Sequence, residues 1–210
     1  MSDPSARTAA VHGKRRRSAL PLWGVLLVCG APVLLAAYLY FFNLVPVGVT
    51  NYGELVEPQR DVPPAHALVL RDLEGEPFDL QSLYGKWVMI SADSGDCGDD
   101  CAKKLFIKRQ THASTGKQIN RINRVWLILD DEPVPTLVIR AYEGMLMLRA
   151  NRQQVEDFLA LPAGAAAEDL NKHIWVVDPR GHLMMRFPAD PDPIKLRKDI
   201  GRLLHNSRIG

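Results

Sequence analysis

Cysteine is scarce in this sequence: there are three in 210 residues, and no second close pair stands beside Cys97 and Cys101. Zinc usually takes four ligands, so that scarcity counts against a zinc centre. Net charge is small too, a formal +2 at pH 7, and it joins unlike parts. Residues 1–18 carry Arg7, Lys14, Arg15, Arg16 and Arg17 against Asp3, which leaves the rest of the chain mildly acidic. The basic run stands directly before an apolar one, so it reads as a topology signal, and no nucleic-acid partner is expected. No internal repeat and no low-complexity tract is present. The length then suits one globular domain plus an additional segment.

Charge is wholly missing from Ala19–Phe42, "ALPLWGVLLVCGAPVLLAAYLYFF". About 20 apolar residues span a bilayer as a helix, and positive flanks stay cytoplasmic. Lys14–Arg17 therefore places the N-terminus inside and everything after Phe42 outside the cytoplasmic leaflet. Signal-peptide apolar regions run about 7–15 residues and end at a small-x-small site. This run is longer and lacks such a site, so an uncleaved anchor is expected. Cys29 within it reads as a small apolar residue.

The expected division is a basic tail over 1–18, a transmembrane helix over 19–42, a proline-rich stalk over 43–66 and a folded domain over 67–208. Prolines 46, 58, 63 and 64 make the stalk a semi-rigid spacer, with "NYGELV" able to pack on the domain edge. "ALVLRDL" and "PFDL" flank a Glu74-Gly75 turn and predict a hairpin. "GKWVMIS" is a buried central strand. From Cys101 the pattern turns helical, with Leu105, Ile107, Lys108 and His112 on neighbouring turns and Gly116 as a stop. "RVWLILDDE" is a second buried strand, and Pro135 opens a helix. "MLMLRAN" is a short strand and "RQQVEDFLAL" a short helix. "HIWVVDPRGHLMMRFP" is a hairpin turning at Asp178–Gly181, and "DPIKLRKDIGRLLHNS" closes the chain as an amphipathic helix. Strands alternating with helices predict an α/β domain with a mixed sheet.

Residues four apart on a helix share a face about 5–6 Å apart, so a first turn over Cys97–Cys101 would bring the two sulfurs together. That separation suits one shared metal and also a disulfide. Thiolates favour Cu(I), and two thiolates with a histidine make a three-coordinate copper site. A helix N-terminus lowers a thiol pKa. Asp93, Asp96, Asp99 and Asp100 oppose a further anion, which favours metal over fast disulfide exchange. A permanent bridge suits an oxidising compartment, but one closing so short a loop constrains the unfolded chain little. Met145, Met147, Met184 and Met185 read as core filling. His66, His112 and His182 read as surface residues.

The hairpin and strand in "DLEGEPFDLQSLYGKWVMIS", the cysteine pair after that strand and the late "VVDPRGHLM" hairpin resemble a thioredoxin-like domain. Cys-x3-Cys on an N-terminally anchored, exported domain is similar to the Sco/SenC copper-chaperone family of cytochrome c oxidase assembly. The resemblance covers about residues 67–205, by element order. The Pro-x3-Thr-x2-Cys motif of peroxiredoxins is absent, with Ile90 where its proline would stand. The family's third ligand is a histidine eight residues before the turn residue, here Asp178. Leu170 holds that position, and the nearest histidine is His173. Gly98 and Ala102 stand where the family commonly has prolines.

The resemblance implies a thioredoxin-like domain with a central mixed β-sheet flanked by helices. It implies an inner-membrane protein, single-pass through Ala19–Phe42, with a cytoplasmic N-terminus and a periplasmic domain. Copper, as Cu(I) or Cu(II), would be held by Cys97 and Cys101 with His173 as third ligand. The partners would be a respiratory oxidase subunit carrying a copper site, and a copper donor. Two other functions stay open. One is a thiol-disulfide oxidoreductase that keeps oxidase copper-site cysteines reduced, with Cys97 attacking and Cys101 resolving. The other is a non-catalytic assembly factor that uses the fold for docking.

Overall fold

A computed structural model describes residues 20–42, 51–159, 161 and 164–209. The basic tail over 1–18 and the start of the expected stalk, 43–50, lie outside the described residues. The chain divides into two units, 1–49 and 50–210. In the first, helix α1 (Leu20–Phe41) has a stretch, Trp23–Phe41, of mean hydropathy 2.1. It is long and apolar enough to cross a bilayer, as a membrane anchor or a signal sequence is.

The second unit is a mixed α/β domain of thioredoxin-like architecture. Its strands are β1 (Glu54–Asp61), β2 (Leu70–Arg71), β3 (Pro77–Phe78), β4 (Trp87–Asp93), β5 (Ile122–Ile128), β6 (Leu146–Ala150), β7 (Ile174–Val177) and β8 (His182–Phe187). Its helices are α2 (Asp99–Ser114), α3 (Thr136–Ala141), α4 (Arg152–Phe158) and α5 (Pro193–Asn206). One eight-stranded sheet runs in the order β1-β8-β7-β4-β5-β6-β2-β3. β4, β5 and β6 are mutually parallel, and every other pairing is antiparallel.

The centre follows from composition. "WVMISAD" of β4 is buried throughout and pairs with β5 from Trp87↔Ile122 to Asp93↔Ile128. A strand covered on both faces reads as a continuous apolar run rather than an alternating one. Val88, Ile90, Val125 and Leu127 pack with Val155 and Phe158 of α4 and with Leu170 on one face. Met89 meets Ile107 of α2 and Leu196, Ile200 and Leu204 of α5 on the other. Each such aliphatic side chain contributes about 1.5–3 kcal/mol by leaving water. Asp192 caps α5 by accepting from the Ile194 and Lys195 amides at 2.8 and 3.3 Å, and Pro193 opens the helix. The Asp178 carboxylate takes the Arg180 and His182 amides, both at 2.9 Å, to close the β7–β8 turn.

Two segments differ from expectation. Glu54–Asp61, inside the expected stalk, forms edge strand β1 on β8. Asp199 on α5, itself buried, accepts from the Tyr52 and Gly53 amides at 2.6 and 2.9 Å and ties down the chain just before it. The β2–β3 hairpin is shorter than "ALVLRDL" suggests. Asp72 Oδ1 accepts from the Glu74 and Glu76 amides at 3.1 and 2.8 Å, and that turn ends β2 at Arg71.

Candidate functional site

β4 delivers the cysteine turn. After Asp93 the chain crosses the C-terminal end of the parallel strands, the place where ligands meet open α/β sheets. The Leu129 amide donates to the Asp93 carbonyl at 3.0 Å, which keeps β4 and β5 joined to their ends. Gly95 then lies so close to the next loop that a Cβ there would overlap the Glu132 carbonyl oxygen. Its amide donates to Asp130 Oδ1 at 2.8 Å. Hydrogen bonds from Ser94, Gly95 and Glu132 hold the Asp130 carboxyl below its usual range, although burial alone would raise it. Arg149 braces this loop from the far side by donating to the Asp130 and Glu132 carbonyls at 2.6 and 3.1 Å. Asp130 is therefore the anchor of the cysteine turn.

Cys97 and Cys101 are joined as a disulfide, with Cα atoms 5.1 Å apart. Cys97 lies before α2 with φ +48, a left-handed conformation that non-glycine residues rarely adopt. Cys101 sits in the first turn of α2. The two sulfurs are unequal: Cys97 is half-buried, while Cys101 is 2% exposed beneath it. An incoming thiol or ligand therefore reaches Cys97 first. Gly98 caps the helix without a side-chain bond, and Asp99 and Asp100 are exposed in the first turn, where negative charge suits the helix dipole.

Asp93 does not belong with those exposed acids. It is buried and forms an ion pair with Lys104, also buried, three residues beyond Cys101 on α2. Burial pushes the Asp93 carboxyl above its ordinary value, against the pull of the Lys104 ammonium. One turn further, fully buried Lys108 donates to Ser91 Oγ and to the Val125 carbonyl, both at 2.7 Å. Burial, then the neighbouring Lys104 charge, holds its amine well below the ordinary lysine value. Two lysines and a carboxylate thus lie inside the sheet–helix interface, the lysines on the face of α2 that carries Cys101. The helical period already puts residues 101, 104, 105 and 108 on one face. Reading lysines as solvated hides that signal.

His173 ends the 3-10 turn Ala167–Lys172 and precedes β7. It is 7% exposed, and its ring lies edge-on to Trp175. Nδ1 is 2.7 Å from the Phe187 carbonyl, which can only accept, so Nδ1 carries the proton and Nε2 keeps a lone pair. Burial holds the imidazole below its ordinary pKa. That is the form and orientation a metal-binding histidine takes. The structure does not, however, bring it together with the cysteines: among the described residues no group of three or more His, Cys, Asp or Glu could hold a metal. Leu170, at the position the family resemblance would give to histidine, is a fully buried core residue.

Three further histidines and two methionines also have set places. His66 is exposed. His112 is half-buried, with Nε2 at 3.0 Å from the Ile119 carbonyl, and so is not a free surface residue. His182 pairs with Asp61 at 2.6 Å. Met145 and Met147 are buried in the apolar cluster that also holds Cys101 and Trp126.

The model of the family described as "Transmembrane-like, thioredoxin-like, C-terminal domain" matches residues 87–207. No curated protein matches the chain significantly. Among solved structures, yeast Sco1 with copper bound superposes with a TM-score of 0.54 at 15% identity, over 72% of this chain and 96% of that one. Arabidopsis thaliana ScoI with copper bound gives 0.51 at 11% identity, over 74% and 99%. BsSco, of the Sco family of cytochrome c oxidase assembly proteins, gives 0.51 at 14% identity, over 71% and 96%. At such identities the likeness establishes the thioredoxin-like fold. The match over 87–207, from β4 through the cysteine turn to α5, shows that the chain belongs to the transmembrane-like, thioredoxin-like, C-terminal domain family.

Proposed function

We propose that this protein is a membrane-anchored, Sco-like factor in cytochrome c oxidase assembly that binds copper through Cys97 and Cys101 and delivers it to an oxidase subunit. The observation that carries the reading is the Cys-x3-Cys pair at the head of α2, with one accessible and one buried sulfur. It stands in the fold of copper-bound yeast Sco1. Reduction of the disulfide frees two soft donors for Cu(I). His173 Nε2 is the third donor in this reading, reached by movement of the cysteine turn toward the start of β7. The chain is organised as tail 1–18, span 19–42, linker 43–66 and domain 67–208, with β1 drawn from the linker onto the domain. It sits in the inner membrane with the N-terminus cytoplasmic and the domain periplasmic. A separate donor supplies its copper.

The inequality of the sulfurs favours a second reading, thiol-disulfide exchange. In the dithiol form the Cys97 thiolate attacks a partner disulfide and expels one partner thiolate. The Cys101 thiolate then attacks the mixed disulfide at Cys97 and releases the second, so two electrons pass to the partner. Cu(I) titration of the reduced full chain in detergent separates the readings. Stoichiometric Cu(I), lost in Cys97→Ser and weakened in His173→Ala, supports delivery. No copper uptake, with a measurable dithiol potential and reduction of an oxidase-fragment disulfide, supports exchange. A Cys97→Ser/Cys101→Ser variant that still restores oxidase assembly rejects both and leaves docking alone.

A further inference from the structure

β6 has five residues and its neighbour β2 has two, paired only as Leu70↔Ala150 and Arg71↔Arg149. Residues 146–148 of β6 pair with β5 on one side, Val125↔Leu146 through Leu127↔Leu148. On the other side no strand accompanies them among the described residues, because the Asp72 turn draws the chain away. The vacated lane is a slot of about 410 Å3. Leu73, Phe78, Ile139, Tyr142, Met145 and Met147 line it. Its polar lining is of one sign, Asp72, Glu74 and Glu143, with no Lys or Arg. Guanidinium groups around it are turned to backbone: Arg71 donates to the Gly75 carbonyl at 2.9 Å, Arg124 to the Glu143 carbonyl at 3.2 Å and Arg109 to the Ala141 carbonyl at 3.1 Å. The slot shares an apolar cluster with the cysteine site: Leu73, Tyr142, Met145 and Met147 belong to the cluster that holds Cys97 and Cys101.

We propose that this slot is a strand-addition site for an extended segment of a partner protein. The segment carries apolar side chains and a flanking lysine or arginine, and runs antiparallel to β6 in the lane β2 leaves empty. Those backbone groups of residues 146–148 that do not face β5 supply hydrogen bonds, alternate side chains enter the apolar lining, and the three carboxylates select the cation. The inference rests on the assembly-factor reading only for the partner's identity: the segment would flank the partner's own copper-site cysteines.

The test uses the full chain in detergent and two acetylated probe peptides of alternating valine and threonine, one ended by lysines and one by glutamates. Binding of the lysine peptide is expected to slow exchange of the amides in 146–148 that do not face β5 by about tenfold or more, with the glutamate peptide about tenfold weaker. Glu74→Lys/Glu143→Lys, two exposed positions, is expected to reverse that preference. The proposal is overturned by unchanged exchange at 146–148 under saturating lysine peptide, or by equal binding of both peptides. It is also overturned if those amides are already protected at every protein concentration, which means the chain's own segment fills the slot. Protection that grows with protein concentration overturns it in favour of a second copy. The Cys97→Ser/Cys101→Ser variant is expected to bind the peptide undiminished, so failure of the cysteine chemistry and failure of the slot are read separately.

Discussion

Replacing Asp93 by leucine removes the carboxylate that pairs with Lys104 in the sheet–helix interface. Lys104 is 4% exposed, and fully buried Lys108 lies one turn away. The ammonium is then left without its counter-charge and beside a second amine. Removing one partner of a buried pair costs about 3–5 kcal/mol. For a domain of this size about 2–4 °C accompany each kcal/mol, so the midpoint should fall by about 6–20 °C. Lys104→Met should cost less, because burial already raises the Asp93 pKa and, without the Lys104 charge, the carboxyl can be neutralised by taking up a proton. A carboxyl with a raised native pKa stabilises most below its unfolded value, and that contribution is lost as pH rises through the native value. The Lys104→Met deficit should therefore be smaller at acid than at neutral pH. The double variant replaces the pair by apolar groups and should lie near or above wild type. Thermal and urea unfolding followed by circular dichroism, with the disulfide intact, measures all four proteins. Asp93→Leu within about 1 kcal/mol of wild type, or a double variant as unstable as the two singles summed, would refute a coupled buried pair.

Lys108→Met should flatten the alkaline arm of the stability curve. The native amine titrates well below the unfolded value of 10.5, so the unfolded chain binds more protons and wild-type stability climbs with pH up to that value. Urea midpoints across alkaline pH show whether the variant loses the climb. Gly95→Ala pushes a methyl into the Glu132 carbonyl. It should cost about 1–3 kcal/mol and alter the rate at which dithiothreitol opens the disulfide, both read against wild type. In the reduced protein Cys101→Ser should keep the fast-alkylating thiol and Cys97→Ser should lose it. Equal iodoacetamide rates in the two variants would contradict the exposure difference.

Apolar patterning carried most of the fold. The charge-free run predicted α1, "GKWVMIS" and "RVWLILDDE" the parallel core strands, and Asp178–Gly181 the late hairpin. Pattern alone missed β1, because "ELVEPQRD" is almost wholly exposed and holds a proline; only its pairing with β8 and the Asp199 tether make it a strand. It likewise overextended β2, which an aspartate turn cuts short.

The sequence by itself determined which two sulfurs can meet, because only three residues separate them. Their Cα atoms are 5.1 Å apart although Cys97 stands ahead of α2, in a left-handed turn before its Gly98 cap. Tertiary structure alone decided their surroundings. It buried Cys101 and left Cys97 accessible, set Asp93 apart from the exposed acids, and drove Lys104 and Lys108 into the core. It packed Leu170 into the core, and turned His173 to the Phe187 carbonyl. Spacing along the chain is a local geometric constraint. Burial and partnership depend on which elements the sheet order brings to one place.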